Sequence, residues 1–234
     1  MAQRRIAPLL VAGIVVAVAA CSSSARHPSA SPARSTTSTS TTSTTLPAAF
    51  ASSVATVTAT DLSASWRPGC PVPVEQLRAI DARFWGFDDA VHEGRIVVAA
   101  VQADNVTSVL RDLFAAHYPI HKMEPIDRYG GSDDASVDAD NTSAFNCRPV
   151  TGSTGWSEHA YGRAVDLNPL ENPYVMGSTV LPPQSAALLD RTRTDMGIIH
   201  DGDAAVQAFA KVGWSWGGRW TNPTDYQHFS STGH

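Results

Sequence analysis

The sequence predicts an α+β fold: a single domain over residues 50–234, with an antiparallel sheet at its centre and helices flanking it. Three observations carry this expectation. Stretches with helical apolar spacing and stretches that read as strands both occur, and they do not alternate in the regular strand–helix–strand order of a parallel sheet. No internal repeat divides the chain. Residues 50–234 are also enough for one compact unit with a real core.

Residues 1–49 are of another kind. Arg4 and Arg5 open a basic stretch, an apolar run extends from Ile6 to Ala20, and small residues close it. This reads as a secretory signal over residues 1–20, too short for a membrane span. Val18-Ala19-Ala20-Cys21 has the form of a lipobox, which makes Cys21 the expected lipidation site. Residues 21–49 are rich in Ser, Thr, Pro and Ala and carry too little apolar surface to offset the entropy of ordering. They read as a lipid-anchored linker of roughly 30 Å that holds the domain near the outer face of the cell membrane.

Within the domain, Val74, Leu77, Ile80, Ala82 and Phe84 suggest a helix over 74–84. A strand is expected over 94–101, and an amphipathic helix over 105–116 with Val106, Leu110, Leu113 and Phe114 inward. Residues 123–127 read as a strand, and the Asp-, Ser- and Gly-rich stretch 130–141 as a long loop lining a cleft. Strands around 144–148, 163–167 and 226–230 would present a site, with a further helix over 204–212. Trp214, Trp216 and Trp220 read as a supporting wall rather than a glycan platform.

The formal charge is −5, and loss of Arg4 and Arg5 with the signal would take it to −7 (−5 − 2), which argues against nucleic-acid binding. Of the 3 cysteines, Cys21 is taken by the lipid, which leaves Cys70 and Cys147 available for a bridge in an oxidising compartment. Two free thiols remain the alternative, because sequence does not show their separation.

The chemistry gathers in two stretches. Trp156-Ser-Glu-His-Ala-Tyr-Gly-Arg-Ala-Val-Asp166 and Asp225-Tyr-Gln-His-Phe229 together offer two imidazoles and two carboxylates. That is enough for a three-ligand zinc site with an open fourth position, plus a carboxylate to manage a water. Imidazole nitrogen with carboxylate oxygen suits Zn²⁺ better than Ca²⁺ or Mg²⁺. His159 and Asp166 are seven apart, with Gly162 between them, a loop running into a buried strand. Asp225 and His228 are three apart and would face opposite sides of a straight strand, so a bend is required, with Pro223 a plausible cause.

Ser157-x-His159-x-x-Gly162-x-Ala164-x-Asp166, followed much later by Asp225-x-x-His228-Phe229, resembles the signature of the LAS zinc metallopeptidases. That group includes D-alanyl-D-alanine carboxypeptidases and L-alanyl-D-glutamate endopeptidases. Residues 141–148, 168–174 and 213–220 look like its endolysin-like branch, and the resemblance runs over about 72–229. It implies a hedgehog/DD-peptidase-like fold, one Zn²⁺ bound by His159, Asp166 and His228, and Asp225 as general base. By the same resemblance Arg148 is the candidate cation at the developing oxyanion. Glu158 reads as a solvated neighbour, His200 and Asp201 as loop residues, and His234 as a disordered chain end.

The resulting expectation is a monomeric, lipid-anchored, extracytoplasmic zinc metallopeptidase that acts on peptidoglycan stem peptides in the manner of a D-Ala-D-Ala carboxypeptidase. L-Ala-D-Glu cleavage is the alternative within the family. A non-catalytic wall-binding lipoprotein with a structural zinc is the rival from another class. A free substrate carboxylate would call for a cation such as Arg191 or Arg219.

Overall fold

Strand β2 (Leu77–Trp85) is the spine of the first sheet and pairs antiparallel with β1 (Ser52–Thr56) on one side and β3 (Val91–Ala99) on the other. The computed structural model describes residues 48–150 and 152–234. The expected signal peptide, Cys21 and the linker up to residue 47 lie outside the described residues.

Strand β2 corrects the helix expected over 74–84, of which only a 3-10 turn at Val74–Gln76 is helical. Leu77, Ile80 and Phe84 mimic helical spacing, but Ile80, Ala82 and Phe84 repeat every second residue and lie on one face of the sheet. Leu77 and Ala79 lie on the other face, which a second cluster covers only at that end. Asp81 and Arg83 therefore reach solvent between apolar neighbours, as a half-covered strand allows.

Helix α1 (Ala103–Ala115) buries Val106, Val109, Leu110 and Leu113 against the first face, and α3 (Ala204–Lys211) adds Val206 and Phe209. These helices and β3 fall where the apolar spacing placed them. The strand expected over 123–127 does not form a ladder. Met123 makes a single bridge to Thr142, and after Pro125 the chain turns in the 3-10 segment Ile126–Tyr129. Pro125 has no N–H to give, and Asp127 folds back to accept from the Ala64 and Ser65 N–H groups at 2.8 and 3.1 Å. The expected loop 130–141 contains a short helix, α2 (Asp133–Asp138), capped by Ser132, whose Oγ accepts from Ala135 N at 3.2 Å.

Two further sheets complete the α+β architecture. Strand β9 (His228–Ser230) lies between β4 (Ala164–Asp166) and β7 (Ser215–Trp216). Strand β5 (Tyr174–Met176) lies between β6 (Thr179–Leu181) and β8 (Thr224–Asp225). The one central sheet of the sequence reading is thus three small antiparallel sheets of three strands each. Residues 144–148, expected as a strand, form no ladder strand.

Cys70 and Cys147 are joined in a disulfide with their Cα atoms 5.8 Å apart, and Arg67 Nη1 donates to the Cys147 carbonyl at 2.8 Å. Trp214 and Trp216 are buried in the core, and the Trp220 ring stands 5.3 Å from that of His228. Among the described residues, no helix is long and apolar enough to cross a membrane.

Candidate metal centre

His159 sits in a 3-10 turn, Glu158–Tyr161, that Ser157 caps by accepting from the His159 N–H at 3.3 Å. Gly162 ends the turn at φ +65°, and its position explains why glycine is needed: a Cβ there would lie 2.5 Å from the backbone nitrogen of Ala99. That close approach lets Ala99 N donate to Gly162 O at 2.8 Å, which fixes the turn against the end of β3. Strand β4 follows at once and carries Asp166, whose N–H donates to Ser143 O at 2.9 Å while Ser143 N donates back at 3.0 Å. Asp166 is therefore held from both sides.

The Asp225/His228 spacing is resolved by a change of sheet. Asp225 ends β8, His228 begins β9, and Tyr226 and Gln227 make the crossing. The bend lies after Asp225, at these two residues, while Pro223 precedes β8. Leu167 N donates to Gln227 O at 3.0 Å and ties the crossing to the end of β4.

His159, Asp166 and His228 converge. His159 Nε2 is 3.1 Å from Asp166 Oδ2, His228 Nδ1 is 3.0 Å from Asp166 Oδ1, and the two ring nitrogens are 3.2 Å apart. All three residues are buried, and their candidate ligand atoms lie within 4.8 Å of one another. Each imidazole has its outer nitrogen engaged. His159 Nδ1 donates to Ala144 O at 2.6 Å, and His228 Nε2 donates to His234 O at 3.1 Å. With those protons placed outside, both neutral rings turn a lone pair inward, toward each other and toward a carboxylate.

Three electron-rich atoms facing one point need a positive charge among them. In the folded chain that charge can be a proton: burial disfavours the His228 imidazolium, yet Asp166 outweighs burial and raises it to about 9. Burial likewise pushes the Asp166 carboxyl up, and the two imidazoles more than offset this, holding it far below the usual carboxylate range. A divalent cation satisfies the same demand with all three atoms as ligands, so the donor set fits zinc in type, number and orientation.

Asp225 is partly buried, and its Oδ1 is sealed from solvent without a hydrogen-bond partner among the described residues. Burial pushes its carboxyl up to about 6; the neighbouring His228 pulls it down and Asp166 pushes it up. A carboxylate of this kind has a free, desolvated oxygen next to the triad, which is what a proton acceptor requires.

Arg148 stands apart from this group in its contacts. Its Nη2 pairs with Asp133 Oδ2 at 2.8 Å, its Nη1 donates to Pro149 O at 3.4 Å, and its Nε is buried without a partner. None of these interactions reaches the triad. Arg191 gives both Nη atoms to the fold, donating to the Glu171, Leu188 and Ile199 carbonyls and to Asn172 Oδ1, while its Nε is buried without a partner among the described residues. Arg219 pairs with Asp201. Glu158 pairs with Arg163 at 2.5 Å rather than standing free in solvent, and His200 donates its N–H to Asp203 at 2.8 Å.

Sequence reasoning missed two features. The main-chain oxygens of Ala144 and His234 orient the His159 and His228 imidazoles, and main-chain atoms leave no trace in residue types. Glu171 and Asp140 form a carboxyl pair outside the metal centre. Burial pushes Glu171 up to about 8, and the Asp140 carboxylate, hydrogen-bonded to it, pushes the same way. Asp140 Oδ2 is also 3.2 Å from His121 Nδ1.

Residues 151–231 match the family model described as D-alanyl-D-alanine carboxypeptidase. The matched segment contains His159, Asp166, Asp225 and His228, and begins after Arg148. It bears out the family resemblance over a shorter span than residues 72–229. No curated protein and no solved structure matches the chain.

Proposed function

We propose that this chain, which carries the D-alanyl-D-alanine carboxypeptidase family's pattern over residues 151–231, is a zinc-dependent peptidase that removes the terminal D-alanine of peptidoglycan stem peptides. The observation that supports this reading best is the pairing of an inward-facing His159–Asp166–His228 triad with the unpartnered Oδ1 of Asp225. A purely structural metal site closes its coordination and needs no base beside it.

His159 Nε2, an Asp166 oxygen and His228 Nδ1 would hold a zinc ion, which would supply Lewis acidity toward a water and a substrate carbonyl. Asp225 Oδ1 takes the proton from the attacking water and later delivers it to the leaving amine. Its burial raises its basicity, so the acceptance is favoured at neutral pH. Ala144 O and His234 O keep the ligand rings turned so that their lone pairs face inward. The neighbouring Trp220 ring covers part of His228 and limits water on that side.

L-Ala-D-Glu cleavage is the second reading. It draws support from the engagement of the two candidate carboxylate anchors: Arg191 gives both Nη atoms to the fold and Arg219 is paired with Asp201. We further propose that Cys21 is lipidated, that the chain acts as a monomer outside the cytoplasmic membrane, and that the Ser/Thr/Pro-rich linker sets its reach.

The test is metal exchange. Native mass spectrometry of the purified chain should show one zinc, chelation should abolish hydrolysis of a stem pentapeptide, and zinc should restore it. Activity that survives complete removal of metal would refute the zinc mechanism.

A further inference from the structure

His234 looks like a spare chain end in the sequence, yet in the fold it touches a metal ligand. Ser231 N donates to Arg163 O at 3.0 Å, which carries the β4–β9 pairing one residue past Ser230 before the chain bends. Gly233 then adopts φ +82°, and its N–H donates to Ser230 Oγ at 3.2 Å. Ser230 is fully buried, so its hydroxyl is a fixed post. The turn brings the His234 main-chain oxygen to 3.1 Å from His228 Nε2. Among the described residues, no other acceptor bonds that nitrogen.

We propose that the turn 231–234 is a positioning element for zinc, acting through the His234 main-chain oxygen on His228. The inference rests on the zinc reading above and extends it beyond the ligands. The site is symmetrical in this respect: Ala144 O holds the outer nitrogen of His159, and His234 O holds that of His228. The two supports differ in their anchorage. Ala144 is buried in the core, whereas the 231–234 turn is largely exposed and depends on one left-handed glycine and one hydroxyl. Without the His234 oxygen, the His228 ring is free to place its proton on either nitrogen and to rotate, and a ring with Nδ1 protonated cannot bind metal there.

Gly233→Pro tests this directly. Proline is confined to φ near −65° and has no N–H, so neither the left-handed turn nor the bond to Ser230 can form. The expected result is a rise of about 10–100-fold in the zinc dissociation constant, read by competition with a chelating dye. In the zinc-free protein, the ring Nε2–H of His228 should change from slowly exchanging to fast in NMR spectra. Gly233→Val, which keeps the N–H and strains only φ, should shift both readouts in the same direction by less, and decides the matter if the proline variant does not fold. His234→Ala keeps the main-chain oxygen and should keep the zinc affinity.

Unchanged zinc affinity and unchanged ring-proton exchange in folded Gly233→Pro would overturn the proposal. So would a loss in His234→Ala as large as that in Gly233→Pro, because the imidazole and not the main chain would then be acting. A native chain that binds no zinc would sink the metal reading alone, and the exchange measurement would still decide whether the turn holds His228.

Discussion

Asp166 and His228 are register partners across β4 and β9, and their side chains meet at 3.0 Å between Oδ1 and Nδ1. A backbone ladder thus sets the distance between two candidate ligands, which is the kind of preorganisation that keeps a site geometry fixed. It also links the site to stability. The folded His228 sits at about 9, above its usual value, so its pairing stabilises the zinc-free fold fully below about pH 6.5 and is lost as pH rises through 9. Asp166 lies below its usual range, so its contribution is present above about pH 4 and is lost on acidification.

The zinc-free chain should accordingly lose more thermal stability between pH 6.5 and pH 9 than the zinc-loaded chain, because metal binding replaces the His228 proton and leaves only the Glu171 loss common to both forms. Thermal unfolding of both forms across this range should show a gap in midpoint that widens with pH. A constant gap would contradict the coupling.

Activity should follow Asp225. Its carboxyl is raised to about 6 in the folded chain, and a cation in the triad draws it lower, so kcat/KM should fall as pH drops below about 6, by about tenfold per unit. A pH–rate profile of the native chain checks this. An acid limb centred well above pH 7 would assign the base to another group.

Glu171→Gln should stabilise the protein at pH 8 and change little at pH 4. The folded Glu171 carboxyl titrates at about 8, far above its unfolded value, so stability falls as pH rises from about 4.3 through 8 as the proton shared with Asp140 becomes costly to keep. Glutamine removes that proton requirement. The expected gain is a few degrees in unfolding midpoint at the higher pH.

Replacing Cys70 and Cys147 together by serine removes a crosslink across a separation of 77 residues. In the loop-entropy model such a crosslink contributes about 4 kcal/mol, so denaturant unfolding at equilibrium should show a loss of that order. The 144–148 segment, with Ala144 O on His159, is tied down by this bridge, so zinc affinity should fall as well.

Much of this was legible in residue order. The convergence of His159, Asp166 and His228 with Asp225 beside them, and the two amphipathic helices, follow side chains whose type and spacing point to those places. Strand β2 was not legible as a strand, because Leu77, Ile80 and Phe84 imitate a helical stripe while the alternation that defines the strand appears only once Asp81 and Arg83 are seen to face outward. The change of sheet between Asp225 and His228 was readable only as a needed bend, since its place depends on which strands β5 and β4 offer as partners. The Glu171–Asp140 pair and the supports from Ala144 and His234 arise from tertiary contacts and main-chain atoms.

The most direct test of the central claim is mass spectrometry of peptidoglycan stem pentapeptides incubated with the zinc-loaded chain and with its Asp225→Asn variant. The native chain should remove a single terminal alanine, and the variant should retain zinc while cutting about 10²–10⁴-fold more slowly. Products of a cut after the first alanine would move the assignment to the endopeptidase, and intact peptides from folded, zinc-loaded native protein would contradict the peptidase account.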